Sequence, residues 1–494
     1  MQVGCDRGSD QSRAPLAEAL AAHLDRGIYP FHTPGHKGGA FAPPALAELI
    51  GPRAVRFDLP AMTATDNTLH PTTCVKDAQN LAAGLLGARE TFFLTNGSSQ
   101  GVAAAVLACA PPGAVIAMPR NVHRSVGAAL VLSGAVPRFI RQRALAECGA
   151  LAVEVDALIE TLEQEPRPAA VLITRPSYYG LAGDLRPLAE ACHERGVPLI
   201  VDEAHGAHLA FLPSGNLPPA LAAGADVAIQ SWHKTLGSLV GSAMLHVSRS
   251  ALVDPQRVRD ALNLVQTTSP NYLQLASLDL ARQRLAAEGR ELFAETAPRV
   301  AAIEDRLDAL PGVQVIRPER DPRLADHQRD PLRVVVNVAE TGWTGFDVEE
   351  TLRQFQVEDE MADWFNVVLL FSPGDDAAAC ERLVAAFAHV SANPKLARLI
   401  DAATTQQLVQ PIIPSAVMTP REAALGPKED VALSSGMGRA AAEMVMVYPP
   451  GIPLLMPGEL IQSETVAVCR DLLAAGAHVY ATDPQLNTIR VAAV

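Results

Sequence analysis

Short apolar runs alternate with alanine-rich stretches from about residue 75 to residue 290. The apolar runs are four to five residues long and almost wholly apolar, which is typical of strands buried on both faces of a parallel sheet. The stretches between them are long enough for helices that cover such a sheet. We therefore predict an α/β large domain over residues 71–290, with a mostly parallel sheet and strands at Thr91–Thr95, Ala114–Met118, Pro137–Ile140, Ala170–Thr174, Pro198–Asp202 and Asp226–Gln230.

The segments on either side of this domain have different patterns. Residues 1–70 are predicted to form an N-terminal arm, with a short helix at Leu16–Leu24 and a loop at Phe31–Gly39. A strongly helical stretch covers residues 280–310, and residues 401–494 are predicted to form a C-terminal α+β domain that begins with a proline-punctuated linker at Gln406–Pro420. Residues 291–400 are predicted to form a smaller α+β domain, with strands at Val313–Ile316, Arg333–Val338 and Val367–Phe371.

Composition excludes several classes of protein. The formal net charge of −14 argues against a nucleic-acid partner and is compatible with a small cationic substrate. The sequence contains neither an uninterrupted apolar stretch that would span a membrane nor the apolar core of a signal peptide near its start. Seven scattered cysteines without a C-x-x-C pair favour reduced thiols and a cytoplasmic location.

The sequence predicts no metal site. His32 and His36 have the spacing of a helical zinc site, but Pro34 and Gly35 between them interrupt the helix that this spacing requires.

Polar groups follow four of the predicted strands, and ligands gather at the carboxyl ends of strands in open parallel sheets. Ser98 and Ser99 open a helix predicted at Val102–Cys109, where backbone N–H groups attract an anion. His123 follows the second strand, and Asp202-Glu-Ala-His-Gly206 follows the fifth. Taken singly, a helix cap and a surface histidine are the simpler interpretations of the first two. A carboxylate that ends an apolar strand, however, requires a cationic partner.

Lys234 is the most informative residue in the chain. It is one of only five lysines and follows the buried run Ala225–Gln230 in the sequence Ser231-Trp-His-Lys234. A buried lysine becomes neutral and nucleophilic, which suits it to form a Schiff base with a carbonyl cofactor. Ser231 and His233 are placed to hold the same phosphate as Ser98 and Ser99.

A phosphate site, a stacking ring, a carboxylate and an amine together match pyridoxal 5'-phosphate. In this hypothesis Asp202 keeps the pyridine nitrogen protonated, so that the ring accepts the electrons left at Cα of the substrate. The Asp-Glu-Ala-His letters also occur in helicases, but the chain contains no G-x-x-x-x-G-K-[ST] phosphate loop. The helicase interpretation therefore fails.

The same residues resemble the ornithine/lysine/arginine decarboxylase family of fold-type I pyridoxal-phosphate enzymes, and most of all its short bacterial arginine decarboxylases. The resemblance extends from about residue 30 to residue 460. It rests on His32–Lys37, Asp66–His70, Pro119–Ser125, Asp202–Gly206, Ser231–Lys234, Thr267–Pro270 and Tyr448–Pro453, in the family's order.

The resemblance implies a role for each matching residue. Lys234 would carry the cofactor, Asp202 would pair with the pyridine nitrogen, His123 would stack on the ring, and Ala204 and His205 would lie beside it. Thr268 would reach the phosphate of a neighbouring subunit, so the expected assembly is a homodimer or larger oligomer with a shared active site. The remaining cofactor contacts, all to the phosphate, would come from Ser98, Ser99, Ser231 and His233.

The expected reaction is decarboxylation of a basic L-amino acid, with arginine favoured over lysine and ornithine by the resemblance alone. Lys234 and His205 are both candidates for the group that returns a proton to Cα. The substrate's distal cation needs an acidic partner, and Glu360 and Asp363 would share one face if their segment is helical. The other acidic candidates are Glu443 and Glu459, whereas Glu358 and Asp359 are better explained as a solvated acidic surface.

Two alternatives remain open. An aminotransferase or aldolase on the same fold would fix the substrate carboxylate with an arginine, for which Arg333 is available. The second alternative is a protein that binds pyridoxal phosphate without catalysis. The presence of Lys234, Asp202 and His123 argues against such a decayed site.

Overall fold

The N-terminal part of the computed structural model is helical. The helices are α1 (Pro15–Asp25), α2 (Pro44–Ile50), α3 (Pro52–Phe57) and α4 (Cys74–Leu86), with one 3₁₀ turn at Lys37–Gly39. The predicted helix at Leu16–Leu24 is therefore confirmed. The structure describes residues 10–144, 151–152, 155–213, 215, 217–250, 252–395, 413–448, 451–474 and 478–493.

Strands and helices alternate through the next part of the chain, as the apolar pattern predicts. The elements are β1 (Glu90–Leu94), α5 (Gly97–Cys109), β2 (Val115–Pro119), α6 (Arg124–Ser133), β3 (Val136–Ile140), β4 (Arg143–Ala144), β5 (Leu151–Ala152), α7 (Val155–Thr161), β6 (Ala170–Thr174), β7 (Leu181–Gly183), α8 (Arg186–Glu194), β8 (Leu199–Asp202), β9 (Val227–Gln230), α9 (Trp232–Thr235), β10 (Ala243–Val247) and α10 (Pro255–Val265). A 3₁₀ segment, Ala207–Phe211, follows β8.

Seven of these strands form one sheet in the order β1-β10-β9-β8-β6-β2-β3. Neighbouring strands from β9 to β3 are parallel, whereas β10 is antiparallel to both β1 and β9. All six predicted strands are present with ends within one residue of the prediction. The predicted α/β class with a mostly parallel sheet is confirmed, and the carboxyl ends of β1, β2, β6, β8 and β9 lie along one edge.

The strand prediction omitted β10. Its sequence, Ala-Met-Leu-His-Val, contains a histidine where a buried strand is expected to be apolar. His246 is nevertheless fully buried, because its ring nitrogens lie 2.9 Å from Thr91 Oγ1 on one neighbouring strand and 3.1 Å from Gln230 Oε1 on the other. Paired in this way, the histidine no longer has the cost of an unsatisfied buried polar group.

Helix α5 begins five residues before its predicted start, at Gly97 instead of Val102, so Ser98 and Ser99 lie in its first turn. The helix packs closely on the sheet at Gly101. A Cβ there would lie 2.8 Å from a methyl of Ile229 and 2.9 Å from a methyl of Leu94. Only glycine allows this approach, which brings the start of α5 close to the ends of β1 and β9.

A second, antiparallel sheet follows the long helix α11 (Tyr272–Asp308). Its strand order is β11-β13-β15-β14, and β12 pairs instead with β7 of the preceding segment. Because α11 runs through residue 290, the proposed boundary there lies inside a helix. The remaining elements are β11 (Gln314–Val315), β12 (His327–Arg329), β13 (Arg333–Asn337), α12 (Gly345–Gln354), β14 (Met361–Ala362), β15 (Asn366–Leu370) and α13 (Ala377–Ala392), with 3₁₀ turns at Pro318–Arg320, Pro322–Leu324 and Ala339–Thr341.

The C-terminal region has its own small core of buried residues, which includes Leu433, Val445, Ile461 and Val491. Residues 406–412 of the predicted linker Gln406–Pro420 lie outside the described residues. The elements are α14 (Pro420–Leu425), β16 (Lys428–Ala432), α15 (Leu433–Gly436), β17 (Val445–Tyr448), β18 (Ile452–Leu455), α16 (Ser463–Ala474), β19 (His478–Tyr480) and β20 (Thr488–Ala492).

Two classes of feature were not found in the part of the chain that the structure describes. No helix there combines the length and the apolar character needed to cross a bilayer. Within the same ranges, no group of three or more His, Cys, Asp or Glu side chains is arranged to hold a metal ion.

Candidate active site

A cavity of about 130 Å³ lies at the sheet edge where the parallel strands end. The strand directions explain its position, because polar residues that follow parallel strands meet at one edge. The cavity gathers residues that are far apart in the sequence, from α5 to β18. Seven of the predicted site residues line it: Ser98, His123, Asp202, Ala204, His205, Lys234 and Glu360.

Lys234 lies on the short helix α9, directly after β9. Its Nζ is 2.6 Å from Nε2 of His205. The pKa of Lys234 is lowered to about 8, mainly by burial and to a smaller extent by the positive charge of Arg333, while Asp202 and Glu360 oppose the shift. A neutral, nucleophilic amine is therefore accessible close to neutral pH.

Asp202 ends β8 as a buried carboxylate. Its Oδ1 accepts a hydrogen bond from the backbone N–H of Ala204 at 3.2 Å. Burial raises the pKa of Asp202, and the charge of Lys234 lowers it. A carboxylate in such a position is stabilised by any cation that enters the cavity.

His205 lies between Lys234 and Arg333. Its Nδ1 is 2.5 Å from Nη2 of Arg333, on the side opposite its contact with Lys234. The edge of its ring meets Tyr178, with 4.7 Å between ring centroids. The pKa of His205 lies well below the usual histidine value because the ring is buried and faces these two cations.

His123 is the N-cap of α6 and is not a surface residue. Its Nδ1 accepts a hydrogen bond from the backbone N–H of Ser125 at 3.2 Å. Burial lowers the pKa of His123 to about 4, with smaller contributions from Lys234 and Arg124. The cavity wall therefore contains a neutral, flat ring whose orientation is fixed by the helix start.

The predicted anion site combines the first turn of α5 with the β9–α9 turn. Ser231 is buried, and its Oγ has no hydrogen-bond partner among the described residues. His233 turns its Nδ1 to the carbonyl of Ser242 at 2.8 Å, which leaves Nε2 for another contact. Ser98 lines the cavity, whereas Ser99, Ser231 and His233 do not. An unsatisfied buried hydroxyl beside a helix start suits a phosphate group.

Thr268 lies outside the cavity. It is exposed on the turn between α10 and α11. The described chain therefore does not bring Thr268 to the other predicted site residues.

Of the acidic residues considered for the substrate's distal cation, Glu360 lines the cavity. Its Oε1 accepts a hydrogen bond from the hydroxyl of Tyr178 at 2.8 Å. Met361–Ala362 is strand β14, so the condition that residues 360–363 form a helix, under which Glu360 and Asp363 would share a face, is not met. Asp363 instead shapes the following turn, where it accepts hydrogen bonds from the backbone N–H groups of residues 365 and 366 and from the Tyr179 hydroxyl. Glu360 is therefore the better placed of the two for a bound cation.

The other acidic candidates lie away from the cavity wall. Glu358 is exposed, as expected. Asp359 is half-buried instead of solvated, and burial raises its pKa to about 6. Glu443 accepts backbone hydrogen bonds from Thr482 and Arg490 inside the C-terminal region, so its carboxylate supports local structure.

Glu459 forms a buried ion pair with Arg120, at 3.0 Å and with each side chain 2% exposed. Arg120 also donates to the carbonyl of Pro453 at 2.6 Å. These contacts join the end of β2 to strand β18, whose first residue, Ile452, lines the cavity. Glu459 thus helps the C-terminal region to complete the cavity wall.

Arg120→Met should destabilise the protein strongly. It leaves Glu459 as an unpaired buried charge, and breaking one partner of a buried pair costs about 3–5 kcal/mol. Urea denaturation followed by circular dichroism measures the change. Glu381→Gln is the matched control, since its pair with Arg306 is exposed and such pairs contribute less than about 1 kcal/mol. Equal effects of the two substitutions would contradict this role of Arg120.

Six cavity residues were not predicted. Four of them lie at the carboxyl end of β6, in the sequence Thr174-Arg-Pro-Ser-Tyr-Tyr179 that begins with its last residue. The rule that located the other strand ends applies equally to this one. The Oγ1 of Thr174 and the Oδ1 of Asn121 are buried without a hydrogen-bond partner in the described structure, so both are open to a ligand. The six are Asn121, Thr174, Ser177, Tyr178, Tyr179 and Ile452.

Comparison with protein families gives two matches along the chain. The major domain of the Orn/Lys/Arg decarboxylases matches residues 14–379, and the C-terminal domain of the same family matches residues 402–480.

Relatives match over almost the whole length. An arginine decarboxylase of Bacillus subtilis (strain 168) is 39% identical over 97% of this chain and 98% of that protein. An arginine decarboxylase of Halalkalibacterium halodurans is 37% identical over 98% of each. The solved structure of the constitutive lysine decarboxylase of E. coli is 20% identical and superposes with a TM-score of 0.81. The superposition covers 98% of this chain and 82% of that chain.

The structural similarity supports the fold, and the family matches cover both the sheet that carries Lys234 and the C-terminal region that contributes Ile452. The chain therefore belongs to the Orn/Lys/Arg decarboxylase family.

Proposed function

We propose that this protein is a pyridoxal-phosphate-dependent decarboxylase of a basic L-amino acid, with arginine converted to agmatine as the favoured reaction. The observation that carries the proposal is the cavity itself. It contains a buried amine of lowered pKa, a buried carboxylate and a separate acidic group, Glu360. Arginine is favoured because the arginine decarboxylases among the relatives are 35–39% identical to this chain over 91% or more of its length, whereas a lysine decarboxylase of E. coli is 24% identical.

The residues present fit the cofactor. The unsatisfied hydroxyl of Ser231 and the start of α5 would hold its phosphate, together with Ser98, Ser99 and His233. Asp202 would pair with the pyridine nitrogen, His123 would stack on the ring, and Ala204 and His205 would lie beside it. When bound, pyridoxal phosphate supplies a ring that accepts the electron pair left at Cα after CO2 departs.

The protein's own groups would bind, orient and move protons. Lys234 would attach the cofactor and, once displaced by the substrate amine, would stand free beside Cα with a proton to give. The Nε2 of His205 lies 2.6 Å from the Lys234 amine, so the two proton-donor candidates form one hydrogen-bonded pair. An ionised Asp202 would favour the protonated form of the ring nitrogen.

Glu360 is proposed to bind the distal cation of the substrate, held in place by the Tyr178 hydroxyl. A guanidinium binds a carboxylate in a planar, two-point arrangement that an ammonium cannot reproduce. Measuring kcat/KM on arginine, lysine and ornithine tests the substrate assignment. We expect the highest value for arginine, and a higher value for lysine or ornithine would overturn it.

Glu360→Gln should raise KM for arginine with a smaller effect on kcat. The substitution removes a charged partner worth about 1.5–3 kcal/mol, which corresponds to roughly a 10- to 150-fold weaker interaction. Steady-state kinetics measures it. Glu358→Gln is the matched control, because Glu358 is exposed in the same segment. An unchanged KM in Glu360→Gln would remove Glu360 from the substrate site.

The aminotransferase alternative loses support from the position of Arg333. Its guanidinium contacts His205 and lies over the Tyr178 ring, 5.6 Å from the centroid, and Arg333 does not line the cavity. Aminotransferases are among the solved structures of similar fold, for instance an alanine–glyoxylate aminotransferase from Nostoc with a TM-score of 0.52. A keto-acid assay separates the two reactions.

We further propose a homodimer or larger assembly in which Thr268 reaches the neighbouring subunit's cofactor. Thr268 is exposed and lies outside the cavity of its own chain. Two large apolar side chains are also exposed, Leu264 on α10 at 79% and Val240 at 81% accessible. Exposed apolar surface of this kind favours association with a second copy.

Mixing Lys234→Ala and Thr268→Ala subunits should restore activity. In a mixed dimer the chain that retains Lys234 would receive Thr268 from its partner, so one of two sites is intact. At equal amounts, random pairing gives about a quarter of wild-type activity. Mixing without recovery, with Thr268→Ala alone already impaired, would place Thr268 in its own chain's site.

A further inference from the structure

A hydrogen-bonded chain of three side chains leads from the second sheet into the cavity. Arg333 is the first residue of β13 and is 1% exposed. Its Nη2 lies 2.5 Å from Nδ1 of His205, and Nε2 of His205 lies 2.6 Å from Nζ of Lys234. No part of the proposed catalytic roles above uses Arg333.

The chemistry of the three groups fixes where the protons are. An arginine guanidinium only donates hydrogen bonds, so Nδ1 of His205 must accept. A neutral imidazole that accepts at Nδ1 carries its proton on Nε2, and burial beside the Arg333 guanidinium keeps the ring neutral. The Nε2–H therefore donates to Lys234. Only an uncharged amine has the lone pair to accept it.

We propose that Arg333 is a positioning residue that holds His205 in its Nε2–H tautomer and thereby favours the neutral form of Lys234 before the cofactor binds. The inference deepens the proposed function, because it rests on Lys234 being the attachment point. If Lys234 took a proton, it would have to donate to Nε2. His205 would then carry its proton on Nδ1, facing an Arg333 N–H at 2.5 Å. Protonation of Lys234 therefore requires the Arg333 contact to break.

The surroundings hold Arg333 in this position. Its side-chain stem packs against Gly180, where an added Cβ would lie 2.6 Å from Cγ of Arg333. The guanidinium lies over the Tyr178 ring, and Nη1 lies 3.5 Å from the carbonyl oxygen of the same residue. The arginine is thus enclosed on several sides, so it directs its donor at His205 with little freedom to turn away.

Charged groups face Lys234 from several elements. Asp202 on β8 and Glu360 beside β14 favour the ammonium form, and Arg333 on β13 opposes it. His123 at the start of α6 adds little charge, because its own pKa is about 4. Two carboxylates thus favour protonation of Lys234, and the contact between Arg333 and His205 opposes it.

The test is the pKa of Lys234 in the cofactor-free protein. Competitive acetylation over a range of pH, read by mass spectrometry, reports the reactivity of each of the five lysines separately. Lys76 and Lys395 serve as internal controls, since each has its own acidic partner elsewhere in the chain. No substrate or cofactor is present, so the result does not depend on whether the enzyme is a decarboxylase.

Arg333→Met removes the charge and the donor, and we expect the Lys234 pKa to rise by about one unit or more. Arg333→Lys keeps both and should restore at least half of the shift. In a His205→Ala background the effect of Arg333→Met should shrink below half, because the route through the imidazole is gone. An unchanged Lys234 pKa in Arg333→Met, or an equal shift in both backgrounds, would overturn the proposal.

A second measurement on the unmodified protein covers the case in which Arg333→Met does not fold. Histidine-selective ¹⁵N NMR reports the tautomer of His205, whose signals are assigned by their loss in His205→Gln. At pH 9, above the Lys234 pKa of about 8, the expected result is a neutral ring with its proton on Nε2. A proton on Nδ1, or a doubly protonated ring, would overturn the proposal directly.

Discussion

Lys234→Ala is expected to abolish decarboxylation and to remove the visible absorbance of covalently bound cofactor. The substitution deletes the amine that we propose attaches the cofactor. This amine lies 2.6 Å from the second proton-donor candidate, His205. Groups that act as nucleophile and as proton donor each account for large factors, so the combined loss should exceed about 10³-fold in kcat. Radiometric CO2 release and an absorbance spectrum of the purified variant measure both effects.

Lys428→Ala is the matched control for this prediction. Lys428 is exposed and, among the residues that the structure describes, its amine donates to the carbonyl of Ala424 alone. The control should keep wild-type kinetics and spectrum. If Lys234→Ala retained both the band and the activity, the assignment of the attachment site would be wrong.

Asp202→Asn is expected to lower kcat by about 10²- to 10³-fold, the usual cost of removing one electrostatic group aimed at the reacting centre. An amide does not hold a proton on the ring nitrogen, so the ring becomes a weaker electron acceptor. KM for arginine should change little, because Glu360 and not Asp202 is proposed to bind the distal cation. Steady-state kinetics with saturating cofactor measures the two constants separately.

The same substitution should make the cofactor-free protein more stable. Burial raises the pKa of Asp202, which means that the charged carboxylate is disfavoured in the folded state. The folded protein therefore keeps its full stability at acidic pH, where Asp202 is protonated, and loses stability as the pH rises through the folded-state pKa of Asp202. Asp202→Asn removes this loss, so its cofactor-free form should unfold at a higher temperature than wild type at pH 7. An exposed control, Asp260→Asn, should change neither stability nor kinetics, and a Tm decrease in Asp202→Asn would contradict this account.

The large sheet was predictable because its signal is local. Each buried strand is a short apolar run, and only the run that contains His246 was missed. That histidine is satisfied by Thr91 and Gln230 on the neighbouring strands. Partners of this kind are set by strand order, which the sequence pattern does not reveal.

The side chains at the strand ends were predictable for the same reason as the strands. Lys234, Asp202 and His123 each follow a recognisable apolar run, and the parallel sheet brings them to one edge. Contributions from other regions of the chain were not predictable in this way. Arg333 comes from the second sheet. Ile452 belongs to the C-terminal region, which the ion pair between Arg120 and Glu459 joins to the end of β2, although these two residues are 339 positions apart in sequence.

Some family motifs proved to have structural contacts of their own. Asp66, from the matched stretch Asp66–His70, adopts φ +64° and accepts backbone hydrogen bonds from residues 72, 73 and 75 at the start of α4. The Tyr272 hydroxyl of α11 donates to the carbonyl of Asp66 at 2.6 Å. A resemblance in sequence therefore marks residues that shape the scaffold as well as residues that line the cavity.

The stoichiometry of the reaction with L-arginine tests the central claim most directly. Purified enzyme loaded with pyridoxal phosphate would be given carboxyl-labelled arginine, and released CO2, agmatine and keto acid would be counted in the same reaction. The account predicts one CO2 and one agmatine for each arginine consumed, with no keto acid. Arginine consumed with keto acid formed and no CO2 released would contradict it.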